Sequence, residues 1–243
     1  ERVLRENDRR NDEFLDTLSR ELQAPLAPIR DALEVLRRSG HDPLVGGRAY
    51  AIMERHLHQL VRLTDDLLDV SRMTSNQIEL RRERVDLRAV LQSAIETTRP
   101  LIDVAGHVLR TEMPRDPIWV EVDAARMAQA FANLLNNAVK YTQRGGRLGV
   151  RAAIEGPQVT VSVTDTGIGI APAALPRIFD MFMQSDAALD RRRDGLGIGL
   201  MLAKRLIELH DGTTEATSPG PGLGSTFLIR LPAEAMIPAA APL

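Results

Sequence analysis

Phe14, Leu18, Leu22, Leu26, Ile29, Leu33 and Leu36 recur at spacings of four and three, the apolar stripe that a long α-helix lays along one face. After a break at Gly40, Pro43 and Gly46-Gly47, a second stripe runs through Met53, Leu57, Leu60, Thr64, Leu67 and Ser71. Its heptad-like seam suits a helix packed on another helix. Two such helices joined by a short break make an antiparallel hairpin. One hairpin cannot bury both stripes, so two copies are expected to associate as a dimeric four-helix bundle. Pro25 and Pro28 fall inside the first stripe. Each removes a backbone N–H, which frees the carbonyls of Glu21 and Ala24 and is expected to loosen or kink the turn.

Beyond residue 73 the pattern changes. Residues 74 to 86 read as a connection in which Ile78, Leu80 and Val85 suit an edge strand. Leu87 to Val104 returns to helical periodicity, and His107 to Thr111 and Ile118 to Val122 read as strands separated by Pro114 and Pro117. Asp123 stands where an N-cap belongs, before the helix that ends near Thr142. Gly145-Gly146 then turns the chain into strands Arg147 to Ile154 and Gln158 to Asp165, a hairpin with a Gly-Pro break. This mixture predicts a two-layer α/β sandwich, so the fold class is α+β. The expected organisation is a helical hairpin over 1–75, a sandwich domain over 76–232 and an alanine- and proline-rich linker over 233–243.

The 243 residues, 44% of them hydrophobic, suffice for two cores. The absence of cysteine excludes a disulfide scaffold and a thiolate zinc site. A net charge of −2 from 31 basic and 33 acidic residues indicates neither nucleic acid nor an anionic membrane as the main partner. No run reaches the roughly 20 apolar residues of a membrane span, and a cytoplasmic segment without membrane contact is expected. Glu1 opens in charged helix-forming sequence with no cap before it, so an upstream segment is expected.

The chemistry concentrates in Phe131 to Thr142. Leu134, Leu135, Ala138 and Val139 supply the core stripe, while Asn133, Asn137 and Lys140 recur every three or four residues on a second face. Asparagine is a neutral oxygen ligand for a hard cation such as magnesium, and a lysine one turn on can reach a phosphate oxygen. A solvated helix face has the same composition. Val159 to Asp165 alternates like a half-buried strand and runs into Thr166-Gly-Ile-Gly-Ile170, where glycine lets the backbone approach a ligand. Asp194-Gly-Leu-Gly-Ile-Gly199 opens an apolar helix, Leu200 to Leu209. The unpaired N–H groups of such a start can bind phosphate.

These stretches resemble the transmitter core of a bacterial sensor histidine kinase over residues 12 to 232. The N box resembles Asn133 to Thr142, the first glycine box Asp165 to Gly169 and the F box Phe179 to Phe182. The second glycine box resembles Gly195 to Gly199, and Gly222-Leu-Gly-Ser-Thr-Phe227 the last one. The resemblance implies ATP or ADP with magnesium as ligands. Asn137 is the implied magnesium ligand, with Asn133 and Lys140 beside it, and Asp165 the acceptor for the adenine amine. Gly167 and Gly169 would lie against the base, Tyr141 would offer it an aromatic face, and Gly195, Gly197, Gly199 and Thr226 would complete the cradle. Turn geometry alone could require those glycines, and a core tyrosine would look the same. Residues 183 to 194 read either as a solvated loop or as a lid whose arginines, Arg193 among them, offset triphosphate charge. Phe179 and Phe182 suit its hinge. Asp194 stands where a glycine often precedes the second glycine box and adds a carboxylate near the phosphates.

One departure from the family changes the expected chemistry. Where the family carries its phosphate-accepting histidine this chain reads Arg20-Glu-Leu-Gln-Ala-Pro-Leu26. A histidine of pKa about 6.5 offers a neutral nucleophilic nitrogen at pH 7; an arginine is neutral in roughly one molecule in 10⁵ or fewer. Arg20 is therefore expected to be inactive as acceptor. Glu21 keeps the acidic neighbour that would orient a histidine, and Ala24 replaces the amide or hydroxyl that would position water for dephosphorylation. His41, His56, His58, His107 and His210 read as surface or packing residues. The expected function is two-component signalling by a homodimer that binds Mg-nucleotide and signals through conformation. Its expected partners are an upstream sensor module and a response regulator or receiver domain. The first alternative is an active kinase that phosphorylates a histidine on a partner histidine kinase. The second is an ATPase of the gyrase, Hsp90 and MutL type, disfavoured because Asn133 stands where a general-base carboxylate is needed.

Overall fold

The computed structural model describes residues 2–38, 42–74, 79–180 and 197–233, with the side chains of residues 2–17, Arg20, Glu21 and part of the second helix outside that description. The chain divides into two units, residues 1–78 with 186–198 and residues 79–185 with 199–243.

In the first unit, α1 (Arg2–Arg38) and α2 (Pro43–Thr74) form the helical hairpin. α1 is continuous through Pro25 and Pro28, so two missing N–H donors do not end it. The second helix starts earlier than its apolar stripe suggests, and Gly46 and Gly47 lie inside it rather than in the break. The cause is a cap: Oδ1 of Asp42 accepts from the N–H groups of Leu44 (2.9 Å) and Val45 (3.4 Å), and Pro43 supplies a preset first helical residue. A Cβ at Gly46 would reach Leu36 at 3.9 Å, ordinary contact between the two helices. Ala32, Ala49 and Leu63 are buried, whereas Leu26, Leu33 and Leu57 remain 51%, 42% and 56% exposed in the single hairpin.

The second unit holds a small antiparallel sheet, β1 (Glu83–Asp86) on β3 (Trp119–Val122), and a five-stranded sheet. The larger sheet has the order β2 (Val108–Glu112), β4 (Arg147–Glu155), β5 (Gln158–Asp165), β7 (Ser225–Pro232), β6 (Thr213–Thr217). β2 runs parallel to β4, and the other pairs are antiparallel. Alternation sends Leu148, Val150, Val161, Val163, Phe227 and Ile229 to the covered face. There they meet the buried sides of α3 (Leu87–Ala105), α4 (Ala124–Tyr141) and α5 (Gly199–Leu209). Within the connection expected over 74–86, the edge strand is β1 (Glu83–Asp86), which includes Val85 but not Leu80, and Ile78 lies outside the described residues.

Caps decide where the helices start. Oδ1 of Asp123 accepts from the N–H of Arg126 at 3.1 Å, as its position in the sequence predicts. Asp86 caps α3, taking N–H bonds from Arg88 and from Ile118, both at 3.1 Å. The hydrogen bonds of the Arg88 guanidinium to Asp86, helped by those backbone donors against the cost of burial, hold this carboxyl below its ordinary range. At the entry to the unit the Arg81 N–H donates to Oδ2 of Asp123 (3.0 Å), and the Arg82 guanidinium donates to Asp211 and to the Leu209 carbonyl, both at 2.6 Å. Among the described residues no helix is long and apolar enough to cross a membrane.

Candidate functional site

α5 runs along the first half of α4, its first residue, Gly199, beside Asn133 and His210 at its far end beside Asp123. Asn133, Asn137 and Lys140 share the side of α4 set by their spacing, and Gly199 opens α5 beside Asn133. A Cβ at Gly199 would lie 3.9 Å from the Asn133 amide carbon. Nδ2 of Asn133 is buried and has no hydrogen-bond acceptor among the described residues. A buried amide donor left unpaired is costly, and a phosphate oxygen is an acceptor of the right kind. Nζ of Lys140 lies 5.1 Å from the centre of the Tyr141 ring, within cation–π range.

Asp165 ends β5, nearly buried, with both carboxylate oxygens engaged. Oδ1 accepts the Gly167 N–H at 2.7 Å, and Oδ2 accepts the hydroxyl of Ser225, its cross-strand partner on β7. Each oxygen retains a second lone pair, so the group can take a further donor while its orientation is held from two sides. The glycines that follow have identifiable jobs. A Cβ at Gly167 would collide with the Tyr141 carbonyl, to which the Ile168 N–H donates at 3.0 Å. Gly169 sits at φ +68°, and a Cβ there would collide with the Gly220 carbonyl. Both close approaches are to protein backbone, so turn geometry is sufficient reason for these two residues.

The structure thus brings Asn133, Tyr141, Asp165, Gly167, Gly169 and Gly199 into one region of the second unit, with Asn137 and Lys140 on the same helix. Thr226 lies elsewhere. It follows Ser225 on β7 and pairs with Thr164, so alternation points it to the opposite sheet face, and the hydroxyl that reaches Asp165 is that of Ser225. The signal that could have found Ser225 is the in-phase series Ser225, Phe227, Ile229, which assigns it to the covered face. Gly197, at φ +66°, belongs to the other unit. Phe182, Arg191, Arg192, Arg193, Asp194 and Gly195 lie outside the described residues, as do residues 234–243 and the side chains of Arg20, Glu21 and His58. Phe179 packs edge-on against Phe227, ring centres 6.2 Å apart, with Nζ of Lys204 at 5.4 Å from its own ring.

Among the described residues no three acidic, histidine or cysteine side chains group as a metal site. A magnesium ion arriving with a nucleotide would draw most of its oxygens from phosphate and water, and the Asn137 amide oxygen, with that of Asn133 one turn away on α4, would suit it as a neutral oxygen donor.

Residues 10–76 match the His Kinase A (phospho-acceptor) domain, and residues 122–235 match the Histidine kinase-, DNA gyrase B-, and HSP90-like ATPase family. The chain is 36% identical over 228 residues to the Non-motile and phage-resistance protein of Caulobacter vibrioides, covering 90% of this chain and 27% of that protein. It is 33% identical over 221 residues to the sensor histidine kinase MtrB of Mycolicibacterium paratuberculosis, covering 90% of this chain and 39% of MtrB. The chain therefore spans well under half the length of either relative. The structure of full-length ShkA, solved in complex with AMPPNP, is 32% identical, with a TM-score of 0.66 over 95% of this chain and 47% of ShkA. A hairpin in the register of a phosphoacceptor domain, followed by an ATPase sandwich with its boxes in order, places the chain in the sensor histidine kinase family as a transmitter core.

Proposed function

We propose that this transmitter core binds Mg-ATP or Mg-ADP but does not phosphorylate itself, and that its output is conformational. The observation that carries the proposal is Arg20, a permanent cation within the phospho-acceptor match where the family places a neutral imidazole. Glu21 is left without an imidazole to orient, and Ala24 offers no amide or hydroxyl to hold a hydrolytic water. Nucleotide binding is supported separately, by the two-sided grip on Asp165, by the unpaired amide of Asn133 and by the relationship to ShkA, which was solved with AMPPNP. Asp165 accepts the adenine amine, Lys140 faces a phosphate oxygen, and the Asn137 and Asn133 amides hold magnesium, which when bound neutralises phosphate charge.

The exposed leucines of the hairpin, Leu26, Leu33 and Leu57, support a homodimer in which a second hairpin covers them. A response regulator or receiver domain is the downstream partner, an upstream module the source of signal, and the segment works in the cytoplasm. A second reading, transfer to a histidine on a partner kinase chain, is favoured by the complete order of the ATP-site boxes.

The test is incubation with γ-labelled ATP, analysed under conditions that preserve acid-labile phosphohistidine. No label is expected on the unaltered chain, and Arg20→His is expected to restore some. Robust labelling of the unaltered chain overturns the proposal, with His56 and His58 the first sites to map. Label appearing only on an added histidine-bearing partner selects the second reading.

A further inference from the structure

Two turns that are distant in sequence supply the donors that aim Asp165. The Gly167 N–H comes from the turn after β5, and the Ser225 hydroxyl from the end of the loop between β6 and β7. Their relative position decides where the carboxylate points. Besides Asp165 itself, the side chain of Ser218 bridges them. Oγ of Ser218 donates to the Gly224 carbonyl at 2.7 Å, with the Gly220 carbonyl also in reach at 3.3 Å. The same oxygen accepts the Ile170 N–H at 3.0 Å and the Gly220 N–H at 3.2 Å. One hydrogen and two lone pairs are the whole capacity of a hydroxyl, and all are used. Two backbone bonds, Gly222 N–H to the Ile168 carbonyl (2.6 Å) and Gly224 N–H to the Gly167 carbonyl (3.1 Å), span the same gap. The turns would therefore stay joined without Ser218 but lose their side-chain clamp.

We propose that Ser218 is a positioning residue for base recognition, clamping the Gly167 and Ser225 turns so that the Asp165 carboxylate faces the 6-amino group of adenine. This rests on the reading of Asp165 as the adenine acceptor. Removing the hydroxyl leaves the Ile170 N–H and the Gly224 carbonyl without their partner, and the carboxylate between the turns then loses its fixed direction. The consequence falls on base selectivity, because the phosphate-facing residues, Lys140 and the start of α5, make no bond to Ser218.

The experiment compares Mg-ATP with the triphosphate of purine riboside, which lacks the 6-amino group, by calorimetric titration of the 243-residue chain. The unaltered chain is expected to prefer ATP by about tenfold or more, the worth of one hydrogen bond to a charged group. Ser218→Ala is expected to narrow that preference to about twofold, mainly by weakening ATP, and Ser218→Thr to keep it. A general loosening of the domain would weaken both ligands alike and leave the ratio unchanged. Wild-type selectivity in Ser218→Ala overturns the inference while leaving the Asp165 reading intact. Equal binding of the two triphosphates by the unaltered chain sinks that reading and this inference with it. Should Ser218→Ala fail to fold, amide exchange in the unaltered chain decides: slow exchange at Ile170 is expected, and exchange at the rate of an open loop overturns the clamp.

Discussion

The N–H of Asp123 donates to Nε2 of His210 over 3.0 Å, and the other ring nitrogen of His210 lies 2.7 Å from the Leu206 carbonyl. A carbonyl can only accept, so Nδ1 carries the hydrogen and Nε2 the lone pair; the site requires neutral imidazole. Burial drives this histidine below its ordinary pKa against the Leu206 carbonyl, which favours the charged form. Arg82 disfavours protonation further, whereas the Asp123 and Asp211 carboxylates favour it without reversing the effect of burial. A group depressed in the folded state contributes fully above its unfolded pKa, about 6.5, and loses that contribution as pH falls below it. Stability of the sandwich unit is therefore expected to decline from about pH 6.5 downward, by at most about 1.4 kcal/mol per pH unit for one proton. His210→Gln should flatten that decline. Denaturant melts between pH 5 and 8 check this, and parallel profiles for the two chains would exclude it. A second decline is expected below about pH 4. There Asp86 is held low by Arg88, and Asp123 is held low by the Arg126 and Arg81 N–H groups despite its burial.

Asp165→Asn replaces an acceptor-only group with an amide and is expected to weaken ATP binding by about ten- to a hundredfold. Ser225→Ala, which removes the bond to Oδ2, should cost about three- to tenfold. Titration calorimetry gives both values. Unchanged affinity in both variants would detach the adenine from this carboxylate.

Asn137→Ala is expected to reduce nucleotide affinity about tenfold in magnesium and by much less in excess chelator, because only the metal-dependent contribution is removed. Fluorescent-nucleotide titrations under the two conditions separate the terms. An equal loss in both would assign Asn137 to the nucleotide rather than to the metal.

The chain is expected to be dimeric at micromolar concentration, and Leu26→Glu with Leu33→Glu should shift it toward monomer by placing carboxylates on the uncovered side of the hairpin. Light scattering of the double variant and the parent tests this. A parent that is monomeric would contradict the four-helix arrangement.

What the sequence determined by itself lies in features that repeat or terminate within one contiguous stretch. The two hairpin helices, α4 with its Asp123 cap and the β4–β5 hairpin are legible because periods of 3.6 and 2 need only near neighbours to declare themselves. Arg20 is legible as a chemical departure for the same reason: its meaning follows from what guanidinium is, not from where it points. Tertiary structure decided the rest. The hydroxyl that holds Asp165 is 60 positions away and belongs to Ser225 rather than Thr226, because the β5–β7 register chooses which face of the strand meets the carboxylate. His210 and Asp123 are 87 positions apart, and Gly167 is glycine because the Tyr141 carbonyl occupies the space of a Cβ. Such contacts carry no local period. They exist only once the sheet has fixed which distant backbones approach each other, and that approach sets which polar groups find a partner.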